Sequence, residues 1–352
     1  MKASFTCSVA AMAIAASVIF CIRTTIAQVE QTVIKLKMTS AVYTADERGY
    51  SISAIDLASG KVTIVPVPVS PHNVQITADG ALLLAVGEPV KDDHGHGTKA
   101  VKGQLLVFAS NNLEAGPVAS IQVGSHPAHV VVDHAGRRAF VTNAGDNTVA
   151  VVDLSRKMVV RTVPTGRSPH GLRISPDGSE LYVANVEDGS VSVIDTTKLA
   201  EVARIPVGRT PVQVGFTPDG TRVYISLRDE SSVAIVDTAS RTKIGTVAVG
   251  RGPIQVHATP DGRSVYVANQ GSDAEPADTV SVIEVATGRV IDTIRTGRGA
   301  HGVAVSNDSN LVFITNIVDG TVSAIDAATR AVVTTFRVGR GPNGITFRPR
   351  SD

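Results

Sequence analysis

Histidines are the residues of this chain whose type and placement could support chemistry. The chain has nine. Five of them stand at or just before short apolar runs, and two lie in the segment DDHGHG. Neutral imidazoles bind Zn²⁺ and Cu²⁺ well, and three of them with a water molecule can complete a four-coordinate site. We therefore predict a candidate zinc or copper site drawn from six residues, namely His72, His129, His170, His301, His94 and His96.

An internal repeat of 42 residues provides the elements that must position these side chains. A phrase built like PHGLRISPDG begins at residues 71, 127, 169, 211, 253, 300 and 342. Each unit holds four short runs rich in Val and Ile that alternate with polar residues, which is typical of β-strands. Phrases such as Ser175-Pro176-Asp177-Gly178 supply the turns. The repeat predicts an all-β domain over residues 40–352, a single seven-bladed β-propeller with four antiparallel strands per blade.

The phase of the repeat predicts how the ring closes. The first unit starts at its second strand, whereas the chain ends with the first-strand phrase GPNGITF. We therefore expect the C-terminal strand to pair in the N-terminal blade.

The innermost strands should carry the binding residues. Val74, Leu172 and Val214 represent an apolar set that packs between blades, so the alternate set should face the channel. At Gly171, the missing side chain should leave room for His170 to lean over the channel. Gly302 should leave the same room for His301. The candidate ligand-binding residues of the channel mouth are Asn73, Gln75, His129, Arg173, Gln213, Gln255, His257 and Asn343.

We define the top face as the face at which the innermost strands begin. Two insertions, EPVKDDHGHGTKAVKG and QGSDAEPAD, lie between the second and third strands of units two and six, which places both on this face. Functional residues concentrate in such loops. We expect His72, His129 and His170, from three consecutive blades, to lie side by side there.

The units resemble the YVTN-type β-propeller repeat, as in LYVANVEDGSVSVIDTTKLAEVARIPVG. The resemblance covers residues 40–352 and implies an exported or cell-surface protein. The Asn of the repeat phrase should close the turn between the second and third strands. It stands at Asn143, Asn185, Asn269 and Asn316, and by the same alignment Ala45, Gly87 and Leu227 replace it in blades one, two and five.

The chain is also distantly similar to cytochrome d1-type and lactonase-type propellers. The first similarity implies rim and channel histidines that serve a heme d1-like cofactor. The second is carried by PAHVVVDHAGRRAFVTNAGDNTVAVV and implies His129 and Arg173 as catalytic groups. A lactonase would also need a general base near the reacting carbonyl, and no paired Glu is identifiable in the channel-facing set.

The amino-terminal residues are typical of a secretory signal peptide. Lys2 precedes an apolar run from Cys7 to Ile22, and Ala27 ends a stretch suited to cleavage. We predict a signal peptide over residues 1–27, a lead-in over 28–39, and an exported protein, periplasmic or extracellular, with no stable membrane span after cleavage. Both cysteines lie in the predicted signal peptide, so the mature chain would have no disulfide and no thiolate ligand.

Composition and context leave three functional hypotheses. The 33 basic and 32 acidic residues offer no surplus charge for nucleic acid. Two G-x-G-x-x-G matches, at 297–302 and 339–344, precede strands rather than helices and so do not indicate a dinucleotide site. The main hypothesis is a monomeric, non-enzymatic binding protein whose top face takes a protein, a glycan or a small ligand. The alternatives are a propeller that binds zinc, copper or a heme d1-like cofactor, and a lactonase-like hydrolase.

Overall fold

The computed structural model describes residues 40–90 and 102–349. In this part of the chain, 28 β-strands form seven four-stranded antiparallel sheets, with four 3₁₀ turns and no α-helix. This confirms the predicted seven-bladed β-propeller. The predicted signal peptide and lead-in lie outside the described residues. No helix among the described residues has the length and apolar character needed to cross a membrane.

The strands follow one another with short connections. In chain order they are β1 (Ala41–Asp46), β2 (Ser51–Asp56), β3 (Val62–Pro66), β4 (Val69–Ile76), β5 (Leu82–Pro89), β6 (Lys102–Ala109), β7 (Ala119–Ser125), β8 (Pro127–Val132), β9 (Arg138–Asn143), β10 (Thr148–Asp153), β11 (Met158–Pro164), β12 (Pro169–Ile174), β13 (Glu180–Asn185), β14 (Ser190–Asp195), β15 (Ala200–Pro206), β16 (Pro211–Phe216), β17 (Arg222–Leu227), β18 (Ser232–Asp237), β19 (Thr242–Ala248), β20 (Pro253–Ala258), β21 (Ser264–Gly271), β22 (Pro276–Glu284), β23 (Arg289–Arg295), β24 (Ala300–Val305), β25 (Leu311–Asn316), β26 (Thr321–Asp326), β27 (Ala331–Arg337) and β28 (Pro342–Arg348). The 3₁₀ turns are Glu47–Gly49, Leu113–Ala115, Ala144–Asp146 and Arg228–Glu230.

Blade one joins the two ends of the described chain. Its sheet has the order β28-β1-β2-β3, whereas each other blade uses four consecutive strands. In the closing pair, Val42 lies opposite Phe347 and Ala41 lies opposite Arg348. The Arg348 guanidinium also lies over the Tyr43 ring, 5.7 Å from its centroid. The expected closure by the C-terminal strand is confirmed.

The apolar core lies between neighbouring blades. The innermost strands β4, β8, β12, β16, β20, β24 and β28 contact one another around the ring. Val74, Leu172 and Val214 are buried as expected from the alternation. Tyr182 of blade four meets Phe216 of blade five edge-on, with ring centroids 5.0 Å apart. Apolar packing therefore holds the blades together and leaves the polar set for the channel.

Two of the repeated Asn residues, Asn143 and Asn316, accept a hydrogen bond from the segment that enters their blade. In blades four and six the corresponding glycine amide donates to a serine, Ser192 or Ser281, instead. Asn316 accepts a hydrogen bond from the Gly297 amide at 3.0 Å and donates to Thr321 and Ser323, both at 2.9 Å. A Cβ at Gly297 would lie 2.7 Å from the Asn316 side chain, so the close approach requires glycine. The role of Asn is structural, as expected, and it reaches beyond the local turn to the inter-blade segment.

The alignment that placed Ala45 at the Asn position of blade one is wrong by one residue. Asp46 lies opposite Pro342, as Asn185 lies opposite Pro169 in blade four. The Asp46 carboxylate accepts hydrogen bonds from Ser51 at 3.0 Å and Ser53 at 2.6 Å. Burial nevertheless raises the pKa of Asp46 to about 6, because these bonds only partly replace hydration.

The blade-six insertion lengthens a hairpin rather than adding a separate element. Strands β21 and β22 extend to Gly271 and from Pro276, and these two residues face each other in the register. Most of the blade-two insertion, residues 91–101, lies outside the described residues, and His94 and His96 lie there.

Candidate metal centre

Three innermost strands deliver three histidines to one point on the top face. His72 is on β4, His129 on β8 and His170 on β12, and these strands are neighbours in the ring. The ring centroids of His72 and His129 are 5.7 Å apart, those of His72 and His170 5.2 Å, and those of His129 and His170 4.8 Å. One potential ligand atom of each ring lies within 4.8 Å of the other two. The structure therefore brings together the three rings that the repeat phase placed in adjacent blades.

His72 and His170 face each other through their Nε2 atoms, which are 3.2 Å apart. His72 Nδ1 lies 3.0 Å from Glu47 Oε1, and His170 Nδ1 lies 3.2 Å from the Val212 carbonyl oxygen. Both of these oxygens accept hydrogen bonds, so the ring proton is assigned to each Nδ1. The Asn343 amide nitrogen also lies 3.2 Å from His72 Nδ1. When the two rings are neutral, their Nε2 lone pairs point at one another, and this contact is stable only with a proton or a cation between them.

His129 adds a third nitrogen to the cluster. Its side chain is fully buried, and its Nε2 has no hydrogen-bond partner. Its Nδ1 lies 3.4 Å from Gln213 Nε2, at the outer limit of a hydrogen bond. Buried polar atoms are nearly always paired, so this ring nitrogen is free to accept a hydrogen bond or to bind a ligand.

Burial favours the neutral form of two rings of the cluster, His129 and His170. Burial, reinforced by the neighbouring His72, lowers the pKa of His170 to about 3. Burial also lowers the pKa of His129 well below its usual value, and His170 and His72 add to the effect. A neutral imidazole is the form that binds metal ions.

Glu47 contacts the cluster through His72, and it was not identified as a site residue from the sequence. It begins the 3₁₀ turn that follows β1, so it reaches the cluster from a loop and not from a channel-facing strand position. Its Oε2 accepts a hydrogen bond from Asn343 Nδ2 at 2.8 Å. Burial would raise the pKa of Glu47, but the hydrogen bond and charge of His72 outweigh burial and hold that pKa at about 2. The sequence offered one indication of the role of Glu47. It lies in a loop between a second and a third strand, and such loops lie on the top face.

His301 lies near this cluster but outside it. It is buried on β24, and its ring makes a hydrogen bond with the backbone of Asn343. Its Nδ1 has no partner, and burial lowers its pKa to about 4. Among the described residues, the compact group of potential ligands consists of His72, His129 and His170 alone.

Two of the predicted channel-mouth residues, Asn73 and Gln255, bond to neighbouring innermost strands instead of lining an open mouth. Asn73 Oδ1 accepts a hydrogen bond from the Val130 amide at 3.3 Å, and Gln255 Oε1 accepts one from the Val303 amide at 3.2 Å. Each therefore bridges to another innermost strand. Both side chains are buried.

The space expected beside Gly171 is filled. A Cβ at Gly171 would lie 2.3 Å from Gln213 Oε1, and one at Gly302 would lie 2.5 Å from the Asn343 carbonyl oxygen. The expectation that His170 and His301 lean into empty space is wrong for this reason. The orientation of His170 follows instead from its bond to Val212.

Three of the predicted channel-mouth residues, Gln75, Arg173 and His257, belong to a different compartment. Gln75, Arg173, His257 and Thr346 line a cavity of about 330 Å³. His134, Pro260 and Asn307 also line it, and they stand in the turns that follow innermost strands, so this cavity opens toward the bottom face, opposite the histidine cluster. The residues predicted as one channel mouth are thus divided between two sites.

Fold and channel define the class of protein, a seven-bladed β-propeller with polar groups at both ends of its channel. The chain belongs to the family of seven-bladed β-propeller lactonases, whose model matches residues 69–247. A second model, that of the cytochrome D1 heme domain, matches residues 223–340. A search of curated proteins gives no match.

Solved structures share the fold at low sequence identity. Hydrazine synthase of Kuenenia stuttgartiensis is 22% identical, with a TM-score of 0.66, and the match covers 78% of this chain and 89% of that one. A protein of unknown function from Desulfotomaculum acetoxidans is 16% identical, with a TM-score of 0.71 and coverage of 88% and 99%. A Bacteroides fragilis protein provisionally named a 6-phosphogluconolactonase is 16% identical, with a TM-score of 0.69 and coverage of 88% and 98%. These likenesses concern the fold alone.

Proposed function

We propose that this propeller is a binding protein that holds a divalent transition metal, zinc or copper, at the top of its channel on His72, His129 and His170. The observation that carries the proposal is the 3.2 Å separation between Nε2 of His72 and Nε2 of His170. Zn–N bonds are 2.0–2.1 Å long, so two nitrogens in a tetrahedral site stand roughly 3.3 Å apart. The pair already has the spacing that a shared zinc ion requires.

The contacts behind the ligands support the same function. In metal sites the second ring nitrogen of a ligating His usually donates to a carboxylate or a backbone carbonyl, which fixes the tautomer. His72 donates to Glu47, and His170 donates to the Val212 carbonyl oxygen. For His129 to bind through Nε2, its Nδ1 must carry the proton and Gln213 must turn its amide oxygen toward it.

A shared proton is the competing explanation for the close pair. A protonated His72 would donate to both Glu47 and His170 and would also account for the 3.2 Å contact. It would leave the buried Nε2 of His129 without a partner, whereas a metal ion satisfies all three nitrogens. Three ligands would leave a fourth coordination position for water or for a ligand presented at the top face.

Family membership favours lactone hydrolysis as a second candidate function. That reaction would use His129 and Arg173, the pair implied by the lactonase resemblance. Arg173 lines the bottom cavity, whereas His129 is buried in the top cluster and does not line that cavity. We therefore place binding ahead of hydrolysis, and we retain export and a monomeric state as part of the proposal.

Metal titration of the untagged, EDTA-treated protein tests the proposal. We expect one Zn²⁺ or Cu²⁺ per chain by calorimetry and by elemental analysis after dialysis. The triple variant H72A/H129A/H170A should lose this binding. The matched control is H126A, which removes a largely exposed histidine that pairs with Glu88 outside the cluster.

Two results would overturn the metal-binding function. One is a folded wild-type protein that takes up neither ion. The other is unchanged stoichiometry and affinity in the triple variant. Lactone hydrolysis by metal-free protein that is abolished in H129A and in R173A would instead promote the second candidate.

A further inference from the structure

We infer that the bottom cavity is a second binding site and that it takes a small oxyanion, a carboxylate or a phosphate, on Arg173 and His257. This inference goes beyond the metal site, because the two sites use different residues at opposite ends of the channel. The cavity has a volume of about 330 Å³, which is near the lower end for small-molecule sites.

Arg173 is the first observation behind the inference. Its guanidinium lies in the cavity wall, and its one hydrogen bond in the structure goes from Nη1 to the adjacent Leu172 carbonyl oxygen at 3.1 Å. Among the described residues, it has no ion pair with any carboxylate, unlike most arginines of this propeller. None of the fifteen residues that line the cavity is acidic. A half-buried guanidinium with free donors and no counter-charge is costly unless an anion supplies the missing charge.

His257 is the second, independent observation. Its Nδ1 is buried and has no hydrogen-bond partner, while the ring also makes a hydrogen bond with the backbone of Val303. A ring that donates to that carbonyl keeps Nδ1 as an acceptor, which can take the proton of a hydroxyl or of a protonated phosphate. Burial first, and then the charge of Arg173, lower the pKa of His257 to about 4. The ring is therefore neutral at physiological pH, so its Nδ1 can accept the proton of a ligand hydroxyl or of hydrogen phosphate. An ionised carboxylate has no such proton and, of these two residues, would be held by Arg173 alone.

Other groups in the cavity suit an oxygen-rich ligand. Thr346 Oγ1 accepts from the Ile76 amide at 3.4 Å and can still donate its own proton. Asn307 and His134 add polar groups where the cavity opens. Arg binds carboxylate and phosphate through two parallel N–H groups, and this geometry selects for a planar or tetrahedral oxyanion.

The residues that line this cavity do not include the three histidines of the metal cluster. Asn73, Gln213 and Gln255 are buried, and none of them lines the cavity. An anion that enters from the bottom face therefore reaches Arg173 without contacting the histidines of the top face. The two sites can be tested independently.

The test is binding of inorganic phosphate and of succinate to the full chain, measured by calorimetry at low chloride concentration. We expect one anion per chain, with affinity that falls as salt rises. R173Q should weaken binding by about tenfold or more, because charged hydrogen bonds are lost. R173K keeps the charge but not the planar donor pair, so its anion affinity should lie between those of the wild type and R173Q. R156Q is the matched control, since Arg156 is exposed on the outer edge of blade three.

The melting temperature distinguishes a ligand site from a structural arginine. Without anion, R173Q should melt at or above the wild-type temperature, since it removes an unpaired charge. Phosphate or succinate should raise the melting temperature of the wild type and not that of R173Q. If only one of the two probes binds, the cavity is still an oxyanion site, and the ligand class is then phosphate or carboxylate according to which probe binds.

Three outcomes would overturn the inference. They are no binding of either probe to folded wild type, equal binding by R173Q, and a large loss of stability in both R173Q and R173K without anion. The variant H72A/H129A/H170A should bind anions normally, so failure of the metal proposal and failure of this inference are separately visible.

Discussion

At the scale of single residues, the top site depends on which nitrogen of each histidine carries the proton. Glu47 determines this for His72, and the Val212 carbonyl determines it for His170. Neither partner belongs to the set of histidines that the sequence identified. The proposed metal site therefore rests on hydrogen-bond acceptors that have no sequence motif of their own.

Substitution of Glu47 should weaken the proposed metal site without removing a ligand. In E47Q the side-chain amide oxygen can still accept a hydrogen bond from His72 Nδ1. The negative charge that makes the His72 imidazole a stronger metal ligand is lost. Partners of this kind typically change metal affinity by 10–100-fold, and we expect a loss of about that size in calorimetric titrations with Zn²⁺.

The control for this prediction is E275Q, which neutralises an exposed carboxylate in the blade-six insertion, also on the top face. It should bind zinc like the wild type. Equal affinities for E47Q and wild type would show that Glu47 only holds the loop in place.

At the scale of elements, the buried polar group at the end of the second strand differs between blades, and blade one uses Asp46 where four other blades use Asn. The raised pKa of about 6 means that the folded state holds the Asp46 proton more tightly than the unfolded state does. Stability from this group is therefore greatest below about pH 4, decreases as the pH rises to about 6, and is lower by about 3 kcal/mol above that.

D46N should consequently stabilise the propeller at pH 7.5 and have little effect at pH 4. The amide can donate to Ser51 and Ser53 and accept from Gly339, as Asn316 does in blade seven. Thermal unfolding midpoints of D46N and wild type at the two pH values check this expectation.

The reciprocal variant N185D provides the matched control in blade four. It places a carboxylate beside Ser190 and Ser192 in an equally buried position, so it should destabilise at pH 7.5 more than at pH 4. A D46N effect that is the same at both pH values would show that Asp46 does not titrate as argued.

The elements were predictable from sequence because period-two alternation and Pro-Asp-Gly turns recur with each unit. The one-residue error at Ala45 arose where a strand lacks the Asn that marks its end, and only the pairing of Asp46 with Pro342 reveals the register. The three histidines were predictable because they occupy equivalent positions in adjacent blades. The role of Glu47 and the division of the channel into two sites were not predictable, because both depend on side-chain contacts between blades that are distant in sequence.

At the scale of the whole molecule, stability depends on the last strand. Removal of residues 342–352 would expose the inner edge of β1 and leave the ring open, because β28 pairs with β1 and packs against β24 and β4. We expect the truncated protein to lose cooperative thermal unfolding.

A synthetic peptide that spans Pro342–Arg348 should restore the cooperative transition when it is added to the truncated protein, since strand addition to an exposed sheet edge is a recognised mode of binding. A peptide of the same composition in scrambled order is the control. Cooperative unfolding by the truncated protein alone would show that ring closure contributes little.

The position of β28 also sets an order of events during synthesis. Among the described strands it is the last to leave the ribosome, yet it forms the channel wall of the blade that is made first. Blade one must therefore wait, with one edge unpaired, until all other blades have been translated. The ring therefore cannot close before β28 has been synthesised, whatever the order in which the other blades fold.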